Sequence, residues 1–253
     1  MSRFDDQAAA FAADQRGPWT ELRYRLLISQ LREHKPDGPL KALDAGGGAG
    51  RFAVRLARDG HDVMLLDQSE GMLAQARAAA DEAGVHVRFL ESTIEEANDL
   101  LDDEQFDLVA CHNVLEYVVN LSETLQSLVE WVRPDGVLSL VVHNTLALPL
   151  WCAMHELNFE EALNSLGIKT WRGRFSDSAR AFEPSELREL VERAGLKVLA
   201  IYGLGVVSAY IPDEEVKFAE ERIDRLEDLE RQLGRLPPYM DMARHLHLVA
   251  AQQ

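Results

Sequence analysis

The sequence predicts an α/β domain with a doubly wound, mostly parallel sheet of seven strands. Short apolar segments alternate with amphipathic segments of helical period from residue 40 to residue 143, and this alternation indicates successive β-α-β units. The segment at residues 106–111 is almost wholly apolar, as expected of a strand buried on both faces of a parallel sheet. A glycine-rich turn separates the first apolar segment from the first amphipathic one.

The elements up to the fifth strand follow from periodicity and capping residues. A helix is predicted from Pro18 to about residue 32, where leucines at helical spacing form one apolar stripe. Gly60 and Gly84 are expected to end the first two helices of the core, and Ser69 and Ser122 to begin later ones. A short helix is expected at residues 94–101, and the first five strands at residues 41–45, 62–67, 85–90, 106–111 and 137–142.

The regular alternation stops after residue 143. Residues 145–181 are expected to form a helical insertion that carries Trp151, Phe159, Trp171 and Phe175. Long insertions at the carboxyl end of a strand often contact substrate; a helical hairpin with a packing role is the alternative. After it we predict a helix from residue 184, a sixth strand at 197–207, one charged helix at 213–233 and a last strand at 244–251. The last strand follows a helical excursion and is expected to lie antiparallel at the edge formed by the sixth strand.

The turn after the first strand has the pattern D-x-G-x-G-x-G, formed by Asp44, Gly46, Gly48 and Gly50. Glycine has no Cβ, so the backbone can adopt a positive φ and a ligand can lie directly against it. The free N–H groups at the start of the following helix point to the same place. Asp67 ends the second strand, just over twenty residues after the first glycines. A carboxylate there can accept hydrogen bonds from both ribose hydroxyls of a nucleoside.

The glycine spacing separates two classes of nucleoside ligand. Dinucleotide-binding proteins have G-x-G-x-x-G, and counting from Gly46 places Arg51 at the third glycine, so that fingerprint fails. The pattern resembles motif I of the class I S-adenosylmethionine (SAM) methyltransferases, with Asp67 at the position of motif II. The resemblance implies a Rossmann-like fold, SAM as cofactor and S-adenosylhomocysteine as product.

We expect one domain over residues 1–253, with an N-terminal helical arm (1–34), a SAM-binding core (40–143), a substrate-side insertion (145–181) and a C-terminal part of the sheet (184–253).

Composition limits the class of partner. The chain of 253 residues has a formal net charge of −17, which favours cationic ligands such as the SAM sulfonium and disfavours nucleic acid, whose phosphates bind Lys and Arg. The sequence has no apolar run of the roughly 18 residues that a membrane span needs, and no basic-then-apolar start typical of a secretory signal. We therefore expect a cytoplasmic protein without a membrane partner. The two cysteines, Cys111 and Cys152, are expected in the core.

Short matches to one family run along nearly the whole chain. They are Phe4-Asp5-Asp6, Leu22-Arg23, Leu43-Asp44-Ala45-Gly46-Gly47-Gly48, Gly60-His61, His112, Val114-Leu115-Glu116, Arg133-Pro134, Gly136-Val137-Leu138-Ser139-Leu140, Asn158-Phe159 and Pro238-Tyr239. This set resembles the tRNA 5-carboxymethoxyuridine methyltransferases (the CmoM family), which esterify a modified wobble uridine. The lysine-rich insertion of that family has no counterpart, because residues 167–174 contain three basic residues.

The resemblance implies where the methionine part of SAM would bind. Arg23 would form a charge-assisted hydrogen bond with the methionine carboxylate. The methionine and ribose would lie against Gly46, Gly47 and Gly48, which follow Asp44 of motif I.

The resemblance also assigns the remaining contacts. Asp67 would hold the ribose hydroxyls, Ile94 and Glu95 would contact the adenine base, and His112 would lie beside the reacting methyl group. His112 and His143 follow the fourth and fifth strands, and either is a candidate general base for a hydroxyl acceptor. An ionised carboxylate acceptor needs no base.

Three functional hypotheses remain open from the sequence. The first is a SAM-dependent methyltransferase that acts on a small molecule, at the oxygen of a carboxylate or hydroxyl. The second is a tRNA wobble-uridine methyltransferase, and the third is a SAM-binding regulatory protein without turnover. His245 and His247 share one face of the last predicted strand, but no third ligand is evident, so we predict no metal site.

Overall fold

The structure is a computed structural model that describes residues 5, 8, 9, 12, 17–35, 37–173 and 176–252. Most of the predicted arm before residue 17, together with Phe175, lies outside the described residues. The helices are α1 (Pro18–Leu31), α2 (Arg51–Arg58), α3 (Glu70–Ala83), α4 (Asn98–Leu101), α5 (Leu121–Glu130), α6 (Leu148–Met154), α7 (Phe159–Asn164), α8 (Pro184–Arg193), α9 (Glu214–Lys217) and α10 (Glu220–Leu233). The strands are β1 (Lys41–Ala45), β2 (Asp62–Asp67), β3 (Arg88–Glu91), β4 (Phe106–His112), β5 (Val132–His143), β6 (Thr170–Gly173), β7 (Ser176–Arg180), β8 (Leu196–Leu204) and β9 (His245–Gln252).

Seven strands form one sheet in the order β3-β2-β1-β4-β5-β9-β8. The first five strands run parallel to one another. The last strand, β9, is antiparallel to both β5 and β8. The predicted fold class is therefore confirmed. The predicted position of the last strand is wrong, because β9 lies between β5 and β8 and leaves β8 at the edge.

Burial explains the order of the last two strands. In β9 the first six residues are all buried, which suits a strand with neighbours on both sides. In β8 buried and exposed residues alternate at the start, and Lys197 is exposed, which suits an edge strand. The sequence does not show this alternation, because one of the two exposed positions is Leu199.

Two apolar layers cover the faces of the sheet. On one face α2 and α3, with the end of α1, pack against β1, β2 and β4 around Phe52, Leu73 and Leu31. On the other face α5 and α8 pack around Leu128 and Leu187. Within the described ranges, no helix combines the length and apolar character that a bilayer crossing requires.

Four local features differ from expectation. Asn120, and not Ser122, caps α5, because its side-chain oxygen accepts a hydrogen bond from the N–H of Glu123. The helix predicted at 213–233 is divided into α9 and α10, since Ala219 has an extended ψ of 141°. The helix expected at 94–101 begins at Asn98. The insertion is helical only in its first half, and β6 and β7 form an antiparallel hairpin in its second half.

Candidate active site

The glycine turn after β1 forms the floor of the site. Gly46, Gly48 and Gly50 have φ values of 72°, 54° and 77°, the left-handed region that residues with a Cβ rarely adopt. The N–H of Gly46 donates to the carbonyl of Leu66 at 2.7 Å, which ties the turn to β2. The turn therefore requires glycine for its backbone conformation, as the motif predicts.

Asp67 joins the turn to the next helix. Its Oδ2 accepts a hydrogen bond from the N–H of Gly48 at 2.8 Å, and its Oδ1 accepts one from the N–H of Ser69 at 2.9 Å. Burial raises the pKa of Asp67. These two bonds fix the carboxylate at the carboxyl end of β2, where its remaining lone pairs can accept hydrogen bonds from a ligand.

One cavity of about 750 Å³ lies over these strand ends. It falls in the size range of small-molecule and cofactor sites, roughly 300–1,000 Å³. All the residues singled out from the sequence line it, namely Arg23, Asp44, Gly46, Gly47, Gly48, Asp67, Ile94, Glu95, His112 and His143. The fold thus brings together residues spread over 120 positions of the chain; their individual roles remain predictions.

Arg23 reaches the cavity from α1 and is held by a side chain that the sequence did not indicate. Its Nη1 donates to Oδ1 of Asn113 at 3.1 Å, and Nδ2 of Asn113 donates to Oε1 of Glu116 at 3.1 Å. Asn113 has a φ of 57°, a strained conformation that tends to occur at functional sites. Burial raises the pKa of Glu116 to about 7. The N–H of His143 donates to the same Glu116 oxygen at 2.9 Å, so this carboxyl links the ends of β4 and β5.

The buried polar atoms of the cavity match the groups of SAM. Arg23 Nε, Asp44 Oδ2 and His112 Nδ1 are buried and have no hydrogen-bond partner among the described residues. A ligand with a carboxylate and an ammonium group can supply partners to a guanidinium and a carboxyl. The glycine turn packs closely against Val114, where a Cβ on Gly46 would collide with the valine side chain. The residues present therefore fit SAM.

Replacing Arg23 with alanine is expected to weaken SAM binding by about 10- to 100-fold, the worth of a hydrogen bond between charged groups. Titration calorimetry measures this change. Arg25→Ala is the matched control, because Arg25 lies on the same helix but pairs with Glu21 at 3.1 Å and is exposed. If Arg23→Ala lowers the melting temperature while the affinity for SAM stays unchanged, Arg23 has a structural role only.

On the side of the cavity predicted to hold adenine, Ile94 is 6% exposed. Oε1 of Glu95 accepts a hydrogen bond from the hydroxyl of Thr124 on α5. This bond fixes one carboxylate oxygen of Glu95. The other oxygen can then accept a hydrogen bond from an exocyclic amine.

His112 begins a chain of hydrogen bonds that leads away from the cavity. Its Nε2 lies 2.9 Å from the Ser139 hydroxyl, which lies 3.0 Å from Nε2 of His247. Nδ1 of His247 is 2.7 Å from Oε1 of Gln30. Burial lowers the pKa of His112 well below its usual value and that of His247 to about 3. Both imidazoles are neutral at physiological pH, and the same burial makes His112 a weaker base than a free imidazole.

A wall of aromatic rings also lines the cavity. The ring of His143 lies 3.9 Å from that of Trp171 and 4.4 Å from that of His245, measured between centroids. His143 pairs with His245 across β5 and β9, and Trp171 comes from β6. Burial lowers the pKa of both histidines well below the usual value. The wall is therefore uncharged at neutral pH.

Sequence reasoning missed part of this site. It treated His245 as structural, and it did not single out Asn113. A signal for Asn113 was its place directly after the end of β4, where parallel sheets position ligand contacts. His245 gave no such signal, because its position depends on β9 lying beside β5. Among the described residues, no group of three potential ligand side chains forms a metal site.

Comparisons with known proteins agree with this geometry. A family model described as "Methyltransferase domain" matches residues 43–140. The tRNA 5-carboxymethoxyuridine methyltransferase of Escherichia coli is 31% identical over 98% of this chain and 95% of its own length. A ubiquinone biosynthesis O-methyltransferase of Rickettsia bellii is 30% identical over 72% of each chain.

Solved structures show the same fold at lower identity. A SAM-dependent methyltransferase from Thermotoga maritima, described as a possible histamine N-methyltransferase, superposes with a TM-score of 0.64 at 18% identity over 99% of this chain and 98% of its own. The magnesium protoporphyrin IX methyltransferase of Synechocystis, solved with bound S-adenosylhomocysteine, gives a TM-score of 0.59 at 15% identity, with coverage of 93% and 83%. These two likenesses concern the fold alone.

Proposed function

The chain belongs to the class I SAM-dependent methyltransferases, in the family of the E. coli tRNA 5-carboxymethoxyuridine methyltransferase, and from this premise we propose that it methylates an oxygen atom of a small-molecule acceptor. The observation that carries the proposal is an uncharged aromatic wall in the same cavity as the residues predicted to bind SAM. His143, Trp171 and His245 form this wall, which would be the acceptor end of the cavity. That wall suits a planar acceptor.

The chain's own residues would bind and orient the reactants. SAM supplies a methyl group already activated by its sulfonium, so the protein mainly needs to align the acceptor oxygen with that methyl in a dry cavity; orientation of this kind lowers a barrier by roughly 7–11 kcal/mol in the best cases. Arg23 and Asp67 would hold the two ends of the methionine-ribose part. Neutral His112 or His143 would take the proton of a hydroxyl acceptor, and a carboxylate acceptor would need neither.

The distribution of charge supports a small acceptor over a polynucleotide. The net charge is −17, and many surface cations are already paired with carboxylates. Examples are Arg55 with Glu21 at 2.8 Å and Lys169 with Glu186 at 3.1 Å. Phosphate backbones bind by displacing counterions through free Lys and Arg side chains, and paired cations serve this purpose poorly.

The second candidate acceptor is the carboxymethoxyuridine of tRNA. The similarity to the E. coli tRNA methyltransferase extends over 98% of the chain, including the insertion and the last strand, and this extent favours a shared acceptor. The similarity to a ubiquinone biosynthesis O-methyltransferase covers 72% of the chain and favours oxygen as the acceptor atom in either case. Membership of an enzyme family argues against the third hypothesis, binding without turnover.

The test supplies methyl-labelled SAM with two acceptor pools, namely tRNA that carries free wobble carboxylates and a small-molecule extract. Label in the small-molecule fraction alone is the expected result, and its mass identifies the acceptor. Label that is sensitive to ribonuclease and labile to alkali would overturn the small-molecule proposal in favour of tRNA. A salt titration checks that outcome, because tRNA affinity falls steeply with ionic strength. Absence of label in both pools would contradict both candidates.

A further inference from the structure

Arg244 lies directly before β9, behind the aromatic wall of the cavity. Its guanidinium carbon lies 4.1 Å from the centroid of the Trp151 ring. Its backbone is fixed on both sides, because its N–H donates to the carbonyl of Gly205 and its carbonyl accepts from the N–H of Asn144. Arg244 and Trp151 line a small pocket that also includes His143 and Trp171.

The guanidinium of Arg244 has no acceptor among the described residues. Among the described residues its side chain forms no hydrogen bond and no ion pair, and Tyr210 and Glu156 act on the guanidinium only through space. Burial lowers its pKa to about 10, so the group remains charged at neutral pH. Stacking on Trp151 occupies only the face of the guanidinium, and its N–H donors point outward in the plane. Arg244 is half-buried. A partly desolvated cation without an acceptor is costly, and an anionic ligand would reduce that cost.

A second unpartnered donor lies in the same wall. Nε1 of Trp171 is buried and has no hydrogen-bond partner among the described residues. Indole N–H groups usually find an acceptor when they are buried. Trp171 and His143 line both the small pocket and the large cavity, whereas Arg244 lines the small pocket only. The small pocket therefore borders the large cavity across this shared wall.

We propose that Arg244 and the Trp171 indole form an oxyanion subsite, which binds a carboxylate or phosphate group of the methyl acceptor. The subsite rests on the proposed function, since it takes the acceptor end of the cavity as its approach. It narrows the acceptor to an anion with an adjoining planar ring. The negative charge of the whole chain would repel such a molecule at long range. A fixed local cation would offset that repulsion at the subsite.

Binding to protein saturated with S-adenosylhomocysteine tests the subsite without turnover. The probes are phenoxyacetate and phenoxyacetamide, which differ in charge but little in shape, and phenyl phosphate distinguishes phosphate from carboxylate. We expect wild-type protein to bind an anionic probe about 10-fold or more tightly than the amide, as charge-assisted hydrogen bonds predict. The indole N–H resonance of Trp171 should shift on binding. Arg244→Met should abolish the preference and leave the affinity for S-adenosylhomocysteine unchanged.

The control is Arg235→Met. Arg235 also stacks on an aromatic ring, that of Tyr202 at 5.1 Å, but it is paired with Glu33 and lies outside the cavity. This variant measures the cost of losing a stacked arginine and should keep the anion preference. If Arg244→Met fails to fold, Arg244→Lys decides, because it keeps the charge without the planar fork and should keep part of the preference.

Three results would overturn the subsite: equal affinity of wild-type protein for anion and amide, no binding of either, or an unchanged preference in Arg244→Met. The proposed function is tested separately by methyl transfer. Loss of anion preference with methylated product present would remove the subsite alone. An intact preference without any methylated product would remove the function alone.

Discussion

Asp67→Ala is expected to raise the dissociation constant for SAM by about 150-fold or more, while the protein stays folded. Asp67 is predicted to accept hydrogen bonds from both ribose hydroxyls, and hydrogen bonds to a charged group contribute about 1.5–3 kcal/mol each. The alanine variant also loses the acceptor of the Gly48 and Ser69 N–H groups. We therefore expect a lower melting temperature in addition to the lost affinity.

Titration calorimetry measures the affinity, and two further variants divide the effect. Asp67→Asn keeps the size of the side chain and loses its charge, so it should fall between wild type and alanine. Asp62→Ala is the control at the other end of the same strand, where the carboxylate is 60% exposed and lies 3.7 Å from Arg88. Wild-type affinity for SAM in the Asp67→Ala variant would contradict the position of the ribose in this site.

The fold could be predicted, and so could the presence of the proposed SAM contacts in one cavity, because most of the signals are local. The glycine turn, Asp67 and the apolar strands each depend on residues close together in the chain. Positive φ at Gly46 follows from residue type and motif alone. Arg23 was predicted only through the family resemblance, since nothing in α1 itself indicates that this side chain reaches the cavity.

The acceptor end could not be predicted because it depends on long-range order in the sheet. His245 enters the site only because β9 inserts between β5 and β8, which sets it opposite His143. Trp171 enters through a hairpin where a helix was expected. Arg244 belongs to no motif or periodic pattern in the sequence. The oxyanion subsite can be proposed only from the structure, where the described residues around the guanidinium offer it no acceptor.

The two ends of the site therefore differ in how they are built. The glycine turn and Asp67, at the predicted cofactor end, are positioned by the first β-α-β unit. The acceptor end is assembled from the insertion, β5 and β9, which join only when the whole sheet has formed. We therefore expect substitutions at the start of β9 to alter the choice of acceptor without altering SAM binding. Substitutions in the glycine turn are expected to weaken SAM binding itself.

Gly46→Ala tests the glycine turn and is expected to weaken SAM binding by about 10- to 100-fold, the effect of losing about 1.5–3 kcal/mol of contacts when the turn shifts. Gly46 has a φ of 72°, and a Cβ there would stand 2.4 Å from Val114 Cγ2. The backbone strain costs about 1–2 kcal/mol, and the forced shift of the turn costs about 1–3 kcal/mol more.

Gly60→Ala separates these two costs. Gly60 has a φ of 89°, but no atom lies within 4 Å of its Cβ position, so it carries the strain without the collision. We expect both variants to lose thermal stability, Gly46→Ala more than Gly60→Ala, and only Gly46→Ala to lose affinity for SAM. Equal losses of stability with affinity intact in both would mean that the turn relaxes around the new side chain, and that close approach of the ligand to Gly46 is not what the glycine provides.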